Sequence, residues 1–164
     1  MTSTFAREEF AKWFNAMTGN EKPQKNAKKV FVIVGAPGSG KTTYVKEHRR
    51  TGDLVLDLDT LAAALQGSSE PHPDYSPVMN EVLVAREAVY SSIEERAGNW
   101  ARAFVITSSP DMKSVNKLVG RLGAEVVKMK TTKQSCIDRV KDDTTRQNKE
   151  KDVRLIEEWF NLNP

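Results

Sequence analysis

Residues 28–47 read KKVFVIVGAPGSGKTTYVKE, and this stretch decides the fold. The run VFVIV at 30–34 is apolar and rich in β-branched residues, which is typical of a strand buried on both faces of a parallel sheet. A glycine-rich turn follows, and Lys41 opens a segment that we expect to be helical to about Arg50. A strand, a glycine-rich turn and a helix in this order indicate a phosphate-binding loop.

The turn at 35–42 matches the pattern G-x-x-x-x-G-K-[ST] at every position. Its glycines permit backbone conformations that other residues avoid, and they let the chain approach an anion closely. Successive N–H groups and the start of the helix together form an anion site. The predicted nucleotide-binding residues are Gly35, Ala36, Pro37, Gly38, Ser39, Gly40, Lys41, Thr42 and Thr43.

The last three residues of this set carry the predicted chemistry. Lys41 is expected to reach the β- and γ-phosphates of a nucleoside triphosphate, and the Thr42 hydroxyl is expected to bind Mg²⁺. Thr43 is expected to touch the α-phosphate. The predicted ligands are therefore ATP and Mg²⁺.

Apolar segments alternate with amphipathic ones along the rest of the chain. Strands are predicted at 30–34, 54–58, 103–107 and 124–129, and helices at 41–50, 60–66, 78–97 and 112–122, with two more in the C-terminal tail. Such alternation favours an α/β fold, a doubly wound parallel sheet of four or five strands of the P-loop NTPase type. Sites in such folds lie at the carboxyl ends of the strands.

The first 27 residues have a different pattern. Residues 4–17 carry aromatic and other apolar side chains at helical spacing, which predicts an amphipathic helix that packs on the domain or on a protein partner. A polar linker follows it. We therefore divide the chain into 1–27, a helix and linker, and 28–164, the nucleotide-binding domain.

Composition narrows the class of protein. With 164 residues, 38% of them hydrophobic and 29% charged, the chain suits one globular domain. It has no apolar run long enough to span a membrane and no apolar signal-peptide core, and its single cysteine fits a reducing compartment. We expect a cytoplasmic protein, and the net charge of +3 does not by itself establish a nucleic-acid partner.

Two carboxylates lie at the end of the second predicted strand, in LVLDLDTL. Asp57 and Asp59 are two residues apart, so an extended chain would place them on one side, beside the phosphate loop. A carboxylate there can accept a proton from an attacking hydroxyl or bind the metal. Asp59 is the candidate general base and Asp57 a candidate metal ligand, with helix capping by Asp59 as the alternative.

GAPGSGKTTYVKE followed by DLDTLAAAL resembles the kinase domain of phage-type polynucleotide 5′-hydroxyl kinases and related small P-loop kinases. The resemblance covers roughly residues 28–160. It implies that Lys41 and Thr42 bind nucleotide and metal, and that Asp59 activates the acceptor hydroxyl. It extends to small phage P-loop proteins described only as ATPases.

Two positions depart from the pattern of the polynucleotide kinases. These kinases have an arginine three residues after the acidic residue, which grips the acceptor phosphate, whereas this chain has Ala62. They also carry an aspartate just after the third strand, where this chain reads TSSPD at 107–111. The sequence therefore does not identify the acceptor.

Small P-loop kinases close a lid over ATP, and lid arginines neutralise the transferring phosphoryl group. The segment 136–160 resembles such a region, with Arg139 and Arg146 as the lid candidates. The loop SSEPHPDYSP at 68–77 is expected to cover an acceptor site, and its His72 is interpreted as a surface histidine.

The first hypothesis is an ATP- and Mg²⁺-dependent phosphotransferase, in which Lys41, Asp59, Arg139 and Arg146 act on the transfer. A polynucleotide 5′-hydroxyl is the first candidate acceptor, followed by a nucleoside, a nucleotide or another small alcohol. The second hypothesis is an ATPase module that acts on a protein or nucleic-acid partner without phosphorylating it, with the N-terminal helix as its docking element.

Overall fold

The computed structural model describes residues 8–10, 12–13, 16–17 and 28–164. The strands are β1 (Lys29–Val34), β2 (Leu54–Leu56), β3 (Arg102–Thr107) and β4 (Glu125–Lys128). The helices are α1 (Lys41–His48), α2 (Leu58–Leu65), α3 (Met79–Glu94), α4 (Met112–Leu122), α5 (Lys133–Asp142) and α6 (Lys149–Leu162), and a 3-10 turn at Ser76–Val78 precedes α3. Across these ranges, no helix has the length and apolar character needed to span a bilayer.

The four strands form one parallel sheet in the order β2-β3-β1-β4. Val34 at the end of β1 pairs with Thr107 of β3 and with Lys128 of β4. The carboxyl ends of the strands therefore meet at one edge, and the phosphate loop leaves the sheet there, immediately after Val34.

Helices cover both faces of the sheet. On one face Val32 packs into a core with Ile93 of α3 and Leu122 of α4. On the other face Ile33 packs with Val45 of α1. Because consecutive residues of β1 are buried on opposite faces, the prediction of a strand with two buried faces and of a doubly wound α/β sheet is confirmed.

A third apolar cluster lies beneath the phosphate loop. Cys136 and Val140 of α5 and Ile156 and Trp159 of α6 pack around Ala36. Burial raises the pKa of the Cys136 thiol, which suits a packing residue. The paired helices thus pack against the phosphate loop at Ala36.

The boundary between β2 and α2 differs from the prediction. Strand β2 ends at Leu56, and Asp57 is the N-cap of α2, its Oδ1 accepting a hydrogen bond from the Asp59 N–H at 3.3 Å. The two carboxylates therefore do not share one side of an extended strand, and Asp59 is not the cap. An aspartate that satisfies a free N–H of the first helical turn stabilises an earlier helix start.

The described positions of the N-terminal segment, 8–10, 12–13 and 16–17, are helical, as predicted. The remainder of the predicted 4–17 helix and the linker to residue 27 lie outside the described residues.

Candidate active site

The phosphate loop is a tight turn that depends on its glycines. Gly38 and Gly40 have φ of +73° and +90°, in the left-handed region. A Cβ on Gly38 would also lie 2.7 Å from the Cys136 carbonyl oxygen, and one on Gly35 would lie 2.5 Å from Ser39 Oγ. The backbone N–H groups can therefore line the turn only because side chains are absent at these positions.

Lys41 is buried beneath the loop, with 8% of its surface exposed. Its Nζ donates hydrogen bonds to the carbonyl oxygens of Gly35 and Ala36, each at 2.8 Å. Burial lowers the pKa of Lys41 to about 8, and the nearby carboxylate of Asp57 opposes this effect. An ammonium group held only by carbonyl oxygens can exchange them for phosphate oxygens, which bind it more strongly.

The Ser39 hydroxyl is a further group of the loop that can bind a phosphate. Ser39 is 3% exposed, and its Oγ is buried without a hydrogen-bond partner among the described residues. The Thr131 hydroxyl donates to the Ser39 carbonyl at 2.7 Å and fixes this part of the turn. A buried hydroxyl without a partner is costly, and a ligand that accepts its hydrogen bond removes that cost.

Asp57 and Thr42 are the residues that would hold Mg²⁺. Asp57 is half-buried, and burial together with the neighbouring Asp59 raises its pKa, so a cation at this carboxylate would be stabilising. The Thr42 side chain is exposed at the start of α1. Within the described ranges no three His, Cys, Asp or Glu side chains converge as a metal site, so Mg²⁺ would depend largely on phosphate oxygens and water.

Asp59 lies in the first turn of α2, at the same edge of the sheet as Lys41. The negative charges of Asp57 and Asp59 both act to raise the pKa of Lys41, so the lysine and the two carboxylates lie within one electrostatic site. Tyr75 lies beside them, because burial first and then these two carboxylates raise the pKa of its phenol. The loop between α2 and α3 therefore lies beside the two carboxylates, and its role at an acceptor site stays a prediction.

His72 contacts one of the predicted site residues, which the sequence interpretation did not anticipate. Its Nδ1 is 3.0 Å from Asp59 Oδ2, and its Nε2 is 3.4 Å from Asp143 Oδ2. It is therefore not a solvated loop histidine. A loop residue carries no periodic signal, and only the position of the loop between α2 and α3 could have pointed to it.

The two predicted lid arginines have different contacts. Arg139 of α5 donates from Nη1 to the Gly38 carbonyl oxygen at 3.2 Å. Arg146 lies beyond α5 and is paired with Asp143 at 3.2 Å and with Asp152 at 2.9 Å. After burial, which is the main cause, the positive charge of Arg146 also acts to lower the pKa of Lys41. Arg139 contacts the loop directly, whereas carboxylates hold Arg146.

The structure shows the surroundings of the two positions at which this chain departs from the polynucleotide kinases. Ala62 is fully buried in α2, so its position faces the core rather than an acceptor. After β3, the Thr107 hydroxyl accepts a hydrogen bond from the Ser109 N–H at 3.2 Å, and Asp111 is the N-cap of α4. Asp111 is thus a helix cap and not a replacement for the carboxylate that those kinases place after the strand.

Comparisons with known proteins agree with this architecture. A family model described as an AAA domain matches residues 30–157. The chain belongs to this AAA domain family. No curated protein matches its sequence.

Two solved structures have a fold similar to that of this AAA domain, in agreement with the P-loop fold predicted from the sequence. Shikimate kinase from Acinetobacter baumannii in complex with shikimate has a TM-score of 0.51 at 18% identity, over 85% of this chain and 84% of that one. The Pnkp1/Rnl/Hen1 RNA repair complex has a TM-score of 0.55 at 16% identity, over 88% of this chain. The AAA domain spans only 48% of the matched chain of that complex.

Substitution of Gly38 tests the structure of the loop. Gly38→Ala in this AAA domain is expected to lower the free energy of unfolding by about 3 kcal/mol, because it combines left-handed strain with a contact to the Cys136 carbonyl. Gly67→Ala is the matched control, since Gly67 has φ of +63° and nothing within 4 Å of an added Cβ, and should cost about 1 kcal/mol. Urea unfolding measures both, and equal losses would contradict the packing argument.

The buried ammonium group makes ATP binding depend on pH. Phosphates next to Lys41 favour its charged form, so the pKa of Lys41 in the complex lies above its value of about 8 in the free AAA domain. Affinity is then fully present below pH 8 and falls by up to about tenfold per unit as pH rises above it. Calorimetry in buffers of different ionisation enthalpy should detect proton uptake at pH 9. An affinity that is constant from pH 7.5 to 9.5 would contradict the assignment.

Proposed function

We propose that this protein is an ATP- and Mg²⁺-dependent phosphotransferase that moves the γ-phosphoryl group of ATP to a hydroxyl. The observation that carries the proposal is the arrangement at one edge of the sheet: the phosphate loop with its buried Lys41 follows β1, and Asp59, a partly exposed carboxylate, lies in the first turn of α2, just after β2. One group suits the donor phosphates, and the other suits an acceptor proton. A site for binding ATP alone would not need the second group.

Each group has a role in the proposed step. The acceptor oxygen attacks the γ-phosphorus, the bond from that phosphorus to the bridging oxygen breaks, the hydroxyl proton passes to Asp59, and ADP leaves. Lys41 and Arg139 neutralise the charge on the transferring group from the side of the loop. Magnesium, when bound at Thr42 and Asp57, supplies further charge neutralisation.

The identity of the acceptor forms a separate part of the proposal. We take a polynucleotide 5′-hydroxyl as the first candidate, in line with the fold likeness to the RNA repair complex. Because Ala62 is buried, it cannot contact an acceptor. An acceptor phosphate would therefore be bound by other residues. A nucleoside, a nucleotide or a small alcohol is the second candidate, in line with the likeness to shikimate kinase.

A transfer assay tests the function. The protein is incubated with γ-labelled ATP, Mg²⁺ and one acceptor at a time: 5′-hydroxyl oligonucleotides, nucleosides, nucleotides, shikimate, or none. Label that appears on an acceptor supports the phosphotransferase function and identifies the class of acceptor. Free labelled phosphate at the same rate in every reaction would exclude a kinase for this panel and support an ATPase.

The second candidate function is an ATPase module that acts on a partner. The observation that favours it is the exposure of Phe10, Trp13 and Met17, which are 63%, 55% and 69% exposed at helical spacing in the N-terminal segment. We propose that residues 1–27 are a docking element and 28–164 the catalytic domain. Deletion of 1–27 should then abolish association with the partner while ATP binding persists.

A further inference from the structure

His72 contacts two segments that are far apart in the chain, the start of α2 and the end of α5. Its Nδ1 faces Asp59 of α2 at 3.0 Å, and its Nε2 faces Asp143, at the end of α5, at 3.4 Å. The ring is only 27% exposed although it belongs to a loop. Because an ionised carboxylate can only accept, His72 donates from Nδ1 to Asp59, and the imidazolium form is also attracted to Asp143.

Asp143, on the far side of His72, makes several further contacts. Asp143 Oδ1 accepts hydrogen bonds from the N–H and hydroxyl of Thr145 at 2.9 and 2.6 Å. Its Oδ2 is shared between His72 and Arg146, and Arg146 is in turn paired with Asp152 of α6. A continuous chain of polar contacts therefore runs from Asp59 through His72 and Asp143 to Arg146.

A second bridge joins the same two segments. The Gln147 side chain donates from Nε2 to Glu70 Oε2 at 3.0 Å. Gln66 also donates from Nε2 to the Asp74 carbonyl at 3.0 Å, which closes the base of the loop. The loop 67–78 and the lid segment 143–148 are thus connected at two points, and His72 is the connection that also touches Asp59.

We propose that His72 is a positioning residue that orients Asp59 for the acceptor hydroxyl and joins the acceptor loop to the lid. This inference rests on the proposed phosphotransferase function. The hydrogen bond to Oδ2 fixes the rotation of the carboxylate and directs Oδ1 towards the acceptor. The contact with Asp143 makes this orientation depend on a closed lid, so that Asp59 and the lid arginines are aligned together.

Two conservative variants separate the two contacts. In His72→Asn the amide nitrogen replaces Nδ1 and keeps the contact with Asp59, whereas in His72→Gln it replaces Nε2 and keeps the contact with Asp143. His72→Ala removes both. His48→Asn is the matched control. His48 is the second of the two histidines in the sequence, and its ring stacks on Tyr44 and contacts the Tyr44 carbonyl oxygen rather than Asp59.

The first readout is the transfer rate on the best acceptor of the panel. His72→Ala and His72→Gln should lower kcat by about 10- to 100-fold with little change in KM for ATP, and His72→Asn should restore it to within about threefold of wild type. A merely structural role would lower kcat and ATP affinity together in all three variants. Wild-type kcat in His72→Ala would overturn the positioning role.

The second readout is hydrogen exchange of the 143–148 amides, which needs no acceptor. Exchange should be about two- to fivefold faster in His72→Ala and His72→Asn than in wild type, and unchanged in His72→Gln and His48→Asn. Equal exchange in all five proteins would overturn the bridge. If wild type phosphorylates no acceptor, the phosphotransferase function and the positioning role are both wrong. Hydrogen exchange of the 143–148 amides still decides whether His72 connects the loop 67–78 to the lid segment.

Discussion

Lys41→Met is expected to abolish phosphoryl transfer, with a loss of at least about 10³-fold in kcat. The ammonium group is the buried cation of the phosphate loop, held at 2.8 Å by two carbonyl oxygens that phosphate oxygens would replace. Charge stabilisation in a site shielded from water is among the largest contributions to transfer. Methionine has a similar length and removes the charge. Single-turnover assays with labelled ATP measure the loss.

Lys41→Met should also change how the free energy of unfolding depends on pH. The pKa of Lys41 is lower in the folded protein than its ordinary value of 10.5, so the folded state binds fewer protons between about pH 8 and 10.5. Wild type should therefore gain stability as pH rises through this window, by roughly 3 kcal/mol in total, and Lys41→Met should lack this gain. Urea unfolding at pH 7.5, 9 and 10 compares the two proteins. Parallel profiles would contradict the burial of a charged Lys41.

Asp59→Asn is expected to lower kcat by about 10²- to 10⁴-fold and to leave ATP affinity nearly unchanged. Asparagine keeps the size of the side chain and can still contact His72, but it cannot accept the acceptor proton. The carboxylate lies beyond the phosphate loop, in the first turn of α2, so nucleotide contacts are expected to persist. Transfer assays and calorimetry with ATP separate the two effects. Retained transfer would overturn the assignment of Asp59 as the base.

Asp57→Asn is the matched control for this substitution. Asparagine is as good an N-cap as aspartate, so α2 should remain folded. If Asp57 binds the metal, its variant should need a higher Mg²⁺ concentration for half-maximal activity, whereas Asp59→Asn should not. A reversal of this pattern would exchange the two assigned roles.

Local sequence determined the elements that have a strong pattern of their own. The strand at 29–34 and the loop at 35–42 follow from a run of apolar residues and from glycines at fixed spacing. The end of α4 follows equally from one residue, since Gly123 adopts φ of +55°. These features depend on residues adjacent in the chain, which is why they could be predicted.

The short segment around Asp57 shows where local reasoning failed. LVLDLDTL fits both a strand to residue 58 and a helix that starts there, because leucine and aspartate occur in both. The hydrogen bond from the Asp59 N–H to the Asp57 side chain decides in favour of the helix. That bond changes the relation of the two carboxylates from neighbours on a strand to a cap and a first-turn residue.

The sequence by itself determined the donor side of this protein: a parallel α/β domain with a loop built for the phosphates of a nucleotide. Only the tertiary structure brought His72 between Asp59 and Asp143, which are 13 and 71 residues away from it in the chain. It also buried Ala62, and it held Arg146 between two carboxylates. The physical reason is that a phosphate loop is made by consecutive backbone groups, whereas an acceptor site is made by side chains that meet only after the sheet and the helices have packed.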